Sequence, residues 1–200
     1  MLNIALFGPP GAGKGTQSEF LARHFNLFYI STGDLLRREL AAGTKLGEEA
    51  RGIIAAGGLV PDEIIVQIIE NTIKDNPQAS GFLFDGFPRT FVQAYILDGL
   101  MIRLNTSLTC LINLDIPEEV SVSRLLKRGE TSGRLDDNET VIRNRLREYH
   151  EKTLPVLQFY RDKGQEYDVD ATRSVEEVRA DIVRILEKEL EKNLYNLILF

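Results

Sequence analysis

Nine residues carry the strongest chemical signal in the chain, Gly8-Pro9-Pro10-Gly11-Ala12-Gly13-Lys14-Gly15-Thr16, set between an apolar run and the amphipathic stretch Gln17–Phe25. Glycines let the backbone turn tightly enough for successive N–H groups to face one point. A helix that starts there adds its dipole, and a lysine at the end of the turn reaches outward, so the arrangement suits a bound polyphosphate. The pattern is that of a phosphate loop, GxxxxGK, with one departure: Gly15 follows Lys14 and the hydroxyl is displaced to Thr16. The usual contact from that hydroxyl to magnesium is therefore not assured. Asp85, at the end of the apolar run Phe82-Leu83-Phe84, is the best carboxylate for holding magnesium, directly or through water. The plainer reading of Asp85 is a cap on the following turn.

Other chemistry-bearing residues are sparse. The single Cys110 forbids an internal disulfide, and one Cys with His24 and His150 cannot build a structural zinc site. Cys110 sits in the apolar run 108–116 and reads as a buried strand position. Both histidines fall on polar helical stretches, and neither is placed for acid–base work.

The elements that must hold the loop can be read from hydropathy. Short β-rich runs at 2–8, 28–30, 82–87, 108–116 and 165–171 alternate with longer amphipathic segments. That alternation predicts an α/β fold of three layers, a five-stranded parallel sheet with helices on both faces. Ligands then collect where the strand ends share one edge. Ser174 and Glu177 form a capping-box pattern before a last helix whose apolar face is Val175, Val178, Ile182, Ile185, Leu186 and Leu190. Pro155 should bend or break the helix expected over 139–163. Two segments lie outside the alternation: 31–60, with two helical stretches marked by Gly43, Gly57 and Gly58, and the polar segment 127–137. Both read as excursions from one core spanning 1–30, 61–126 and 138–200, with glycines serving as hinges or caps. The apolar tail 194–200 is expected to extend the last helix onto the core, in preference to an intermolecular contact.

With 200 residues, 43% of them hydrophobic, the chain can bury a substantial core as one domain with small insertions. A net charge of -6 disfavours nucleic acid and acidic membranes as partners, since both select a positive field. The longest stretch without a charged residue is 1–13, and it carries two prolines and three glycines, so no membrane span is expected. The start MLNIALFG lacks a basic leader, which makes a cytoplasmic protein the expectation.

Several motifs in register carry a resemblance that extends to about residue 192. The phosphate loop, Ser31-Thr32-Gly33-Asp34-Leu35-Leu36-Arg37, Asp85-Gly86-Phe87-Pro88-Arg89-Thr90 with Gln93, and the segments 124–139 and 143–150 together resemble the adenylate kinase family of nucleoside monophosphate kinases. The resemblance implies that 31–60 is a monophosphate-binding insertion and 127–137 a lid over ATP. It implies that Gly11, Ala12, Gly13, Lys14, Gly15 and Thr16 hold the ATP phosphates, with Arg124 against the base, Arg128 on the phosphates and Arg173 touching the base mainly through its backbone. It further implies that Arg37 and Arg89 grip the AMP phosphate, and that Thr32, Gly58, Leu59, Val60 and Gln93 line its adenosine. Gly86, Phe87 and Pro88 belong to the same AMP-binding motif. Arg134 and Arg145 would clamp the phosphoryl group in flight, so Lys14, Arg89, Arg128, Arg134 and Arg145 form the implied catalytic set. The eleven-residue lid has no cysteine and is the short form, which excludes lid zinc. The family pattern is usually monomeric, so a monomer with ATP, AMP and ADP as partners is expected.

Plainer readings exist for the arginines. Arg143 has Glu139 four residues before it, Arg147 has Glu151 four after, and Arg38 has Asp34, all helix pairs. Arg134 could bridge Asp136 or Asp137, and Arg145 has Glu148 at i+3. Yet the set suits phosphoryl transfer: an acceptor phosphate is already a nucleophile, so no general base is needed, and the protein must neutralise charge and exclude water. A regulatory GTPase is disfavoured because DxxG and NKxD are missing. A non-catalytic nucleotide-binding module would not call for a second anion site. UMP/CMP kinase, which shares the short lid, is the close alternative; Thr32 and Thr90 favour AMP over it.

Overall fold

The computed structural model describes residues 1–132, 134 and 136–198, with side chains through 192. Five strands, β1 (Ile4–Phe7), β2 (Phe28–Ser31), β3 (Phe82–Asp85), β4 (Cys110–Asp115) and β5 (Glu166–Asp170), form one sheet in the order β2-β3-β1-β4-β5. All pairs are parallel, with Leu6 of β1 opposite Asp85 and Ile112, and Ser31 opposite Asp85. The carboxyl ends therefore finish level with one another.

Helices cover both faces: α1 (Lys14–His24), α2 (Thr32–Ala41), α3 (Lys45–Ala55), α4 (Asp62–Lys74), α5 (Phe91–Arg103), α6 (Glu118–Ser132), α7 (Glu139–Glu148), α8 (Val156–Asp162) and α9 (Val175–Ile198). The pleat of β1 divides the core. Ala5 and Phe7 pack with Phe84, Phe87, Ile69 and Leu97 on one face, while Ile4 and Leu6 pack with Leu21, Ile112, Ile182 and Leu186 on the other. A central strand of such a sheet is buried on both sides, which is why β1 reads as an unbroken apolar run.

Local signals in the sequence are realised as hydrogen bonds. The backbone N–H of Ser174 donates to Glu177 Oε2 at 3.1 Å, and that of Glu177 to Ser174 Oγ at 3.3 Å, completing the expected capping box of α9. Gly43 and Gly57, at φ 62° and 75°, close α2 and α3 in the left-handed conformation. The 6→1 and 5→2 bonds that define this cap are Thr44 N to Glu39 O and Gly43 N to Leu40 O after α2, and Gly58 N to Ile53 O and Gly57 N to Ile54 O after α3.

Pro155 interrupts the helix expected over 139–163: the helix widens into a π-helical turn over Tyr149–Thr153, where Leu154 N–H donates five residues back to Tyr149 O at 2.7 Å, and α8 starts only at Val156. The wider turn accommodates a residue that lacks an N–H and crowds the preceding carbonyls. The polar segment 127–137 begins as helix, because α6 continues to Ser132. One interior glycine, Gly129, costs a helix only about 1 kcal/mol and is not enough to end it. The backbone of α9 runs on to Ile198; the packing expected of the apolar tail lies outside the described residues.

Candidate active site

A cleft of about 670 Å³ opens over the carboxyl ends of β1 and β3. Its floor is the phosphate loop. Helix α1 begins at Lys14 after Gly13, which is left-handed at φ 93°, and no side chain caps it. The N–H groups of its first turn thus have no protein acceptor within the helix and are left for an anion. Lys14 Nζ lies across the loop, donating to Gly8 O at 2.7 Å and Pro9 O at 3.0 Å. Burial brings its pKa down to about 8; Asp85 pulls it up, and Arg89, Arg145 and Arg128 push it further down.

Cations line the walls. Lys14, Arg37, Arg89, Arg124, Arg128, Arg134, Arg145 and Arg173 outnumber the lining carboxylates of Glu19, Asp34, Asp85, Asp136 and Glu148, in a chain whose net charge is -6. Burial holds the guanidiniums of Arg89, Arg134 and Arg145 below their ordinary value, and like charges add to it: Arg145 on Arg89, Arg37 on Arg134, Arg128 on Arg145. All remain protonated at neutral pH. Such mutual repulsion in a partly dry cleft is relieved by an anion.

Carboxylates aim several of these arginines. The Asp137 side chain, 0% exposed, takes a two-pronged bond from Arg128, Nε to Oδ2 at 2.7 Å and Nη2 to Oδ1 at 2.6 Å. Arg145 Nη1 lies 3.0 Å from the same Oδ1 and 2.9 Å from Asp136 Oδ2. Burial alone would raise the Asp137 carboxyl; the guanidiniums of Arg128, Arg145 and Arg134 hold it below the usual carboxylate range. The pairing of Arg134 with Asp136 or Asp137 is not formed: among the described residues, no carboxylate lies within ion-pair distance of its guanidinium. Arg145 likewise pairs with these aspartates and not with Glu148, which holds Lys152 at 2.6 Å.

On the opposite wall, Arg37 Nη2 is 2.5 Å from Asp34 Oδ1, so Asp34 serves Arg37 and not Arg38. Arg89 Nε donates to Gly86 O at 2.8 Å. Thr32 donates its one hydroxyl proton to Gly86 O at 2.9 Å, stitching α2 to the end of β3. The Asp85 carboxylate accepts from the Tyr29 hydroxyl at 3.0 Å. Burial and the Asp85 charge raise the Tyr29 pKa, which keeps the phenol a donor. Arg124 Nη2 donates to Ala171 O at 3.0 Å, and the Arg173 side chain is tied to Asp181 and Asp170.

Of the residues singled out in the sequence, Gly11, Ala12, Gly13, Lys14, Gly15, Thr16, Thr32, Arg37, Gly58, Leu59, Val60, Asp85, Gly86, Pro88, Arg89, Gln93, Arg124, Arg128, Arg134, Arg145 and Arg173 all line this one cleft. Phe87 does not; its ring is 1% exposed and packs on Phe84 in the core. Arg143 pairs with Glu139 at 2.8 Å on the exposed face of α7 as expected, whereas Arg147 meets Asn144 and not Glu151. His24 is exposed and stacks on Phe20, His150 pairs with Glu118 at 3.6 Å, and Cys110 is fully buried; none of the three lines the cleft. Sequence reading missed Tyr29 and the bracing of Arg128 and Arg145 by Asp137. The Asp136-Asp137 pair two residues after Arg134 was the available signal for the second.

Among the described residues, no group of three His, Cys, Asp or Glu side chains could hold a metal, and no helix is long and apolar enough to cross a membrane. A phosphate loop at the central strand of a parallel sheet, facing a second cationic wall, defines the class of P-loop nucleotide-binding proteins. The family described as adenylate kinase matches residues 6–165. The chain is 44% identical over 188 residues to an adenylate kinase of Phocaeicola vulgatus, covering 94% of this chain and 100% of the relative. It is 44% identical to that of Flavobacterium johnsoniae, covering 94% and 99%, and 39% identical to that of Bacteroides thetaiotaomicron, covering 94% and 100%. The chain belongs to the adenylate kinase family.

Proposed function

We propose that this protein transfers the terminal phosphoryl group of ATP to AMP, reversibly, giving two ADP. The observation that carries this reading is one cleft with two anion-binding walls, the phosphate loop with Lys14 on one side and Arg37 with Arg89 on the other, and Arg128, Arg134 and Arg145 available between them. A nucleotide-binding module without turnover has no use for the second wall.

The chemistry asks little beyond charge and position. The AMP phosphate carries roughly -1.5 to -2 charge near neutral pH and attacks without a general base. Lys14 follows the migrating group, Arg89 and Arg37 hold the acceptor, and Arg134 and Arg145 neutralise charge as it spreads over the equatorial oxygens. The insertion 31–60 and the segment 127–137 act as flaps that exclude water. Magnesium fits the donor set through hard oxygens: Asp85, whose carboxylate is oriented by Tyr29, stands beside Gly15, where a side chain would have 3.9 Å to Asp85 Oδ2. When bound with ATP the ion neutralises phosphate charge, and Asp85 would hold it through water, with Thr16 nearby on the loop. On this reading the protein acts as a cytoplasmic monomer on small nucleotides.

The test is a coupled assay with ATP and a panel of monophosphates. AMP exceeds CMP, UMP and GMP by at least about tenfold in kcat/KM, the discrimination expected of one buried hydrogen-bonding edge. Equal turnover of UMP or CMP would replace this reading by a pyrimidine monophosphate kinase.

A further inference from the structure

Gln93 is 2% exposed and lines the cleft, and its amide is not free to turn. Its Oε1 accepts from the backbone N–H of Arg89 at 2.7 Å, and its Nε2 donates to Asp62 Oδ1 at 2.8 Å. Neither partner can change role, since a backbone N–H only donates and a carboxylate only accepts. The carboxylate is itself oriented by Thr90, whose hydroxyl lies 3.1 Å and 3.0 Å from the two Asp62 oxygens while accepting the N–H of Gln93 at 3.2 Å as the N-cap of α5. A half-turn of the amide would set NH2 against N–H and oxygen against carboxylate, two unfavourable contacts in a buried place.

After these bonds Gln93 has one N–H and one oxygen lone pair to spare. Adenine presents on its six-membered ring an acceptor, N1, beside a donor, the 6-amino group. A 6-oxopurine presents the reverse, N1–H beside a carbonyl, and would be read equally well by an amide turned through a half-turn. We propose that Asp62, which does not itself line the cleft, is a specificity-determining positioning residue that fixes the order of donor and acceptor on Gln93 and so excludes 6-oxopurine monophosphates. This rests on the reading that Gln93 faces the base of the acceptor nucleotide. An acidic residue in the first turn of α4 also favours the helix dipole, but Glu63 in that turn serves the same end and lies on the exposed side, away from this network.

The experiment measures kcat/KM for AMP and for inosine monophosphate, which differs from AMP only at this edge, on the same enzyme preparations, so that loss of folded enzyme cancels in the ratio. Asp62→Asn, whose amide can donate or accept, lowers the AMP-to-IMP ratio by about tenfold, the value of one correctly paired buried hydrogen bond. The change falls in the monophosphate KM, with the KM for ATP unmoved. Gln93→Ala lowers the ratio as well, Asp62→Asn adds nothing in that background, and Glu63→Gln leaves the ratio as in the wild type. If Gln93→Ala leaves the ratio unchanged, Gln93 does not read the base, and both the reading and the inference fall. If Gln93→Ala lowers it and Asp62→Asn does not, the role of Asp62 alone is overturned. Should Asp62→Asn yield no active enzyme, Thr90→Val decides: it removes the hydroxyl that orients Asp62, and an unchanged ratio there overturns the inference.

Discussion

Lys14 is held in a setting that opposes its own charge. With its pKa brought down to about 8 by burial, it is mostly cationic at pH 7 and mostly neutral by pH 9. A polyphosphate binds the cation, so it raises that pKa, and binding takes up a proton wherever the free protein has lost it and the complex has not. The window therefore opens near pH 8 and extends toward the ordinary value of 10.5. ATP affinity falls as pH rises through it, and calorimetry in buffers of different ionisation heat finds uptake of about half a proton per site at pH 8, more at pH 9 and little at pH 7. The variant Lys14→Met loses this uptake. An uptake that is zero across the range, or unchanged in the variant, would show that Lys14 does not meet the phosphates. The residue scale is also where sequence reading was most complete. A phosphate loop is legible because its function depends on neighbours in the chain, whereas Asp62 and Gln93 meet across thirty-one positions and Tyr29 and Asp85 across fifty-six, with no spacing to betray them.

At the scale of elements, the segment 127–137 is braced by a bond between helices. Asp137, just before α7, takes Arg128 of α6 and Arg145 of α7 on one buried carboxylate. Asp137→Asn keeps the shape and removes the charge, leaving two guanidiniums without their common anion. The expected loss is about 1 to 3 kcal/mol in urea unfolding at pH 7. Because the folded-state carboxyl is held below the usual range, the difference from wild type is full above that range. It shrinks as pH falls through the folded-state value. A difference that persists undiminished at low pH would mean that charge is not what Asp137 contributes. The strands, the caps of α2 and α3 and the capping box of α9 were legible because each rests on residues a few positions apart. The π-helical turn at Tyr149–Thr153 and the run of α6 to Ser132 were not. Pro155 signals a disturbance but not its form, and a single glycine in a polar stretch looks the same whether the helix absorbs it or ends there.

At the scale of the whole molecule, the sheet and the helices around it bring the cleft residues together. Five parallel strands, the central ones buried on both faces, carry the phosphate loop and Asp85 on adjacent strands at one level, while the other cations of the cleft come from α2, the turn after β3, α6 and α7. An acidic chain thus concentrates positive charge in one cleft, a local field that draws polyanions there. The central claim, that this cleft joins a phosphoryl donor to a phosphate acceptor and not to water, is tested most directly by following ATP and AMP together by phosphorus NMR in the presence of magnesium. The account predicts that ATP and AMP disappear one for one with two ADP appearing, that ADP supplied alone returns equal ATP and AMP, and that Lys14→Met slows both by several orders of magnitude. Loss of ATP to inorganic phosphate with AMP untouched would contradict it.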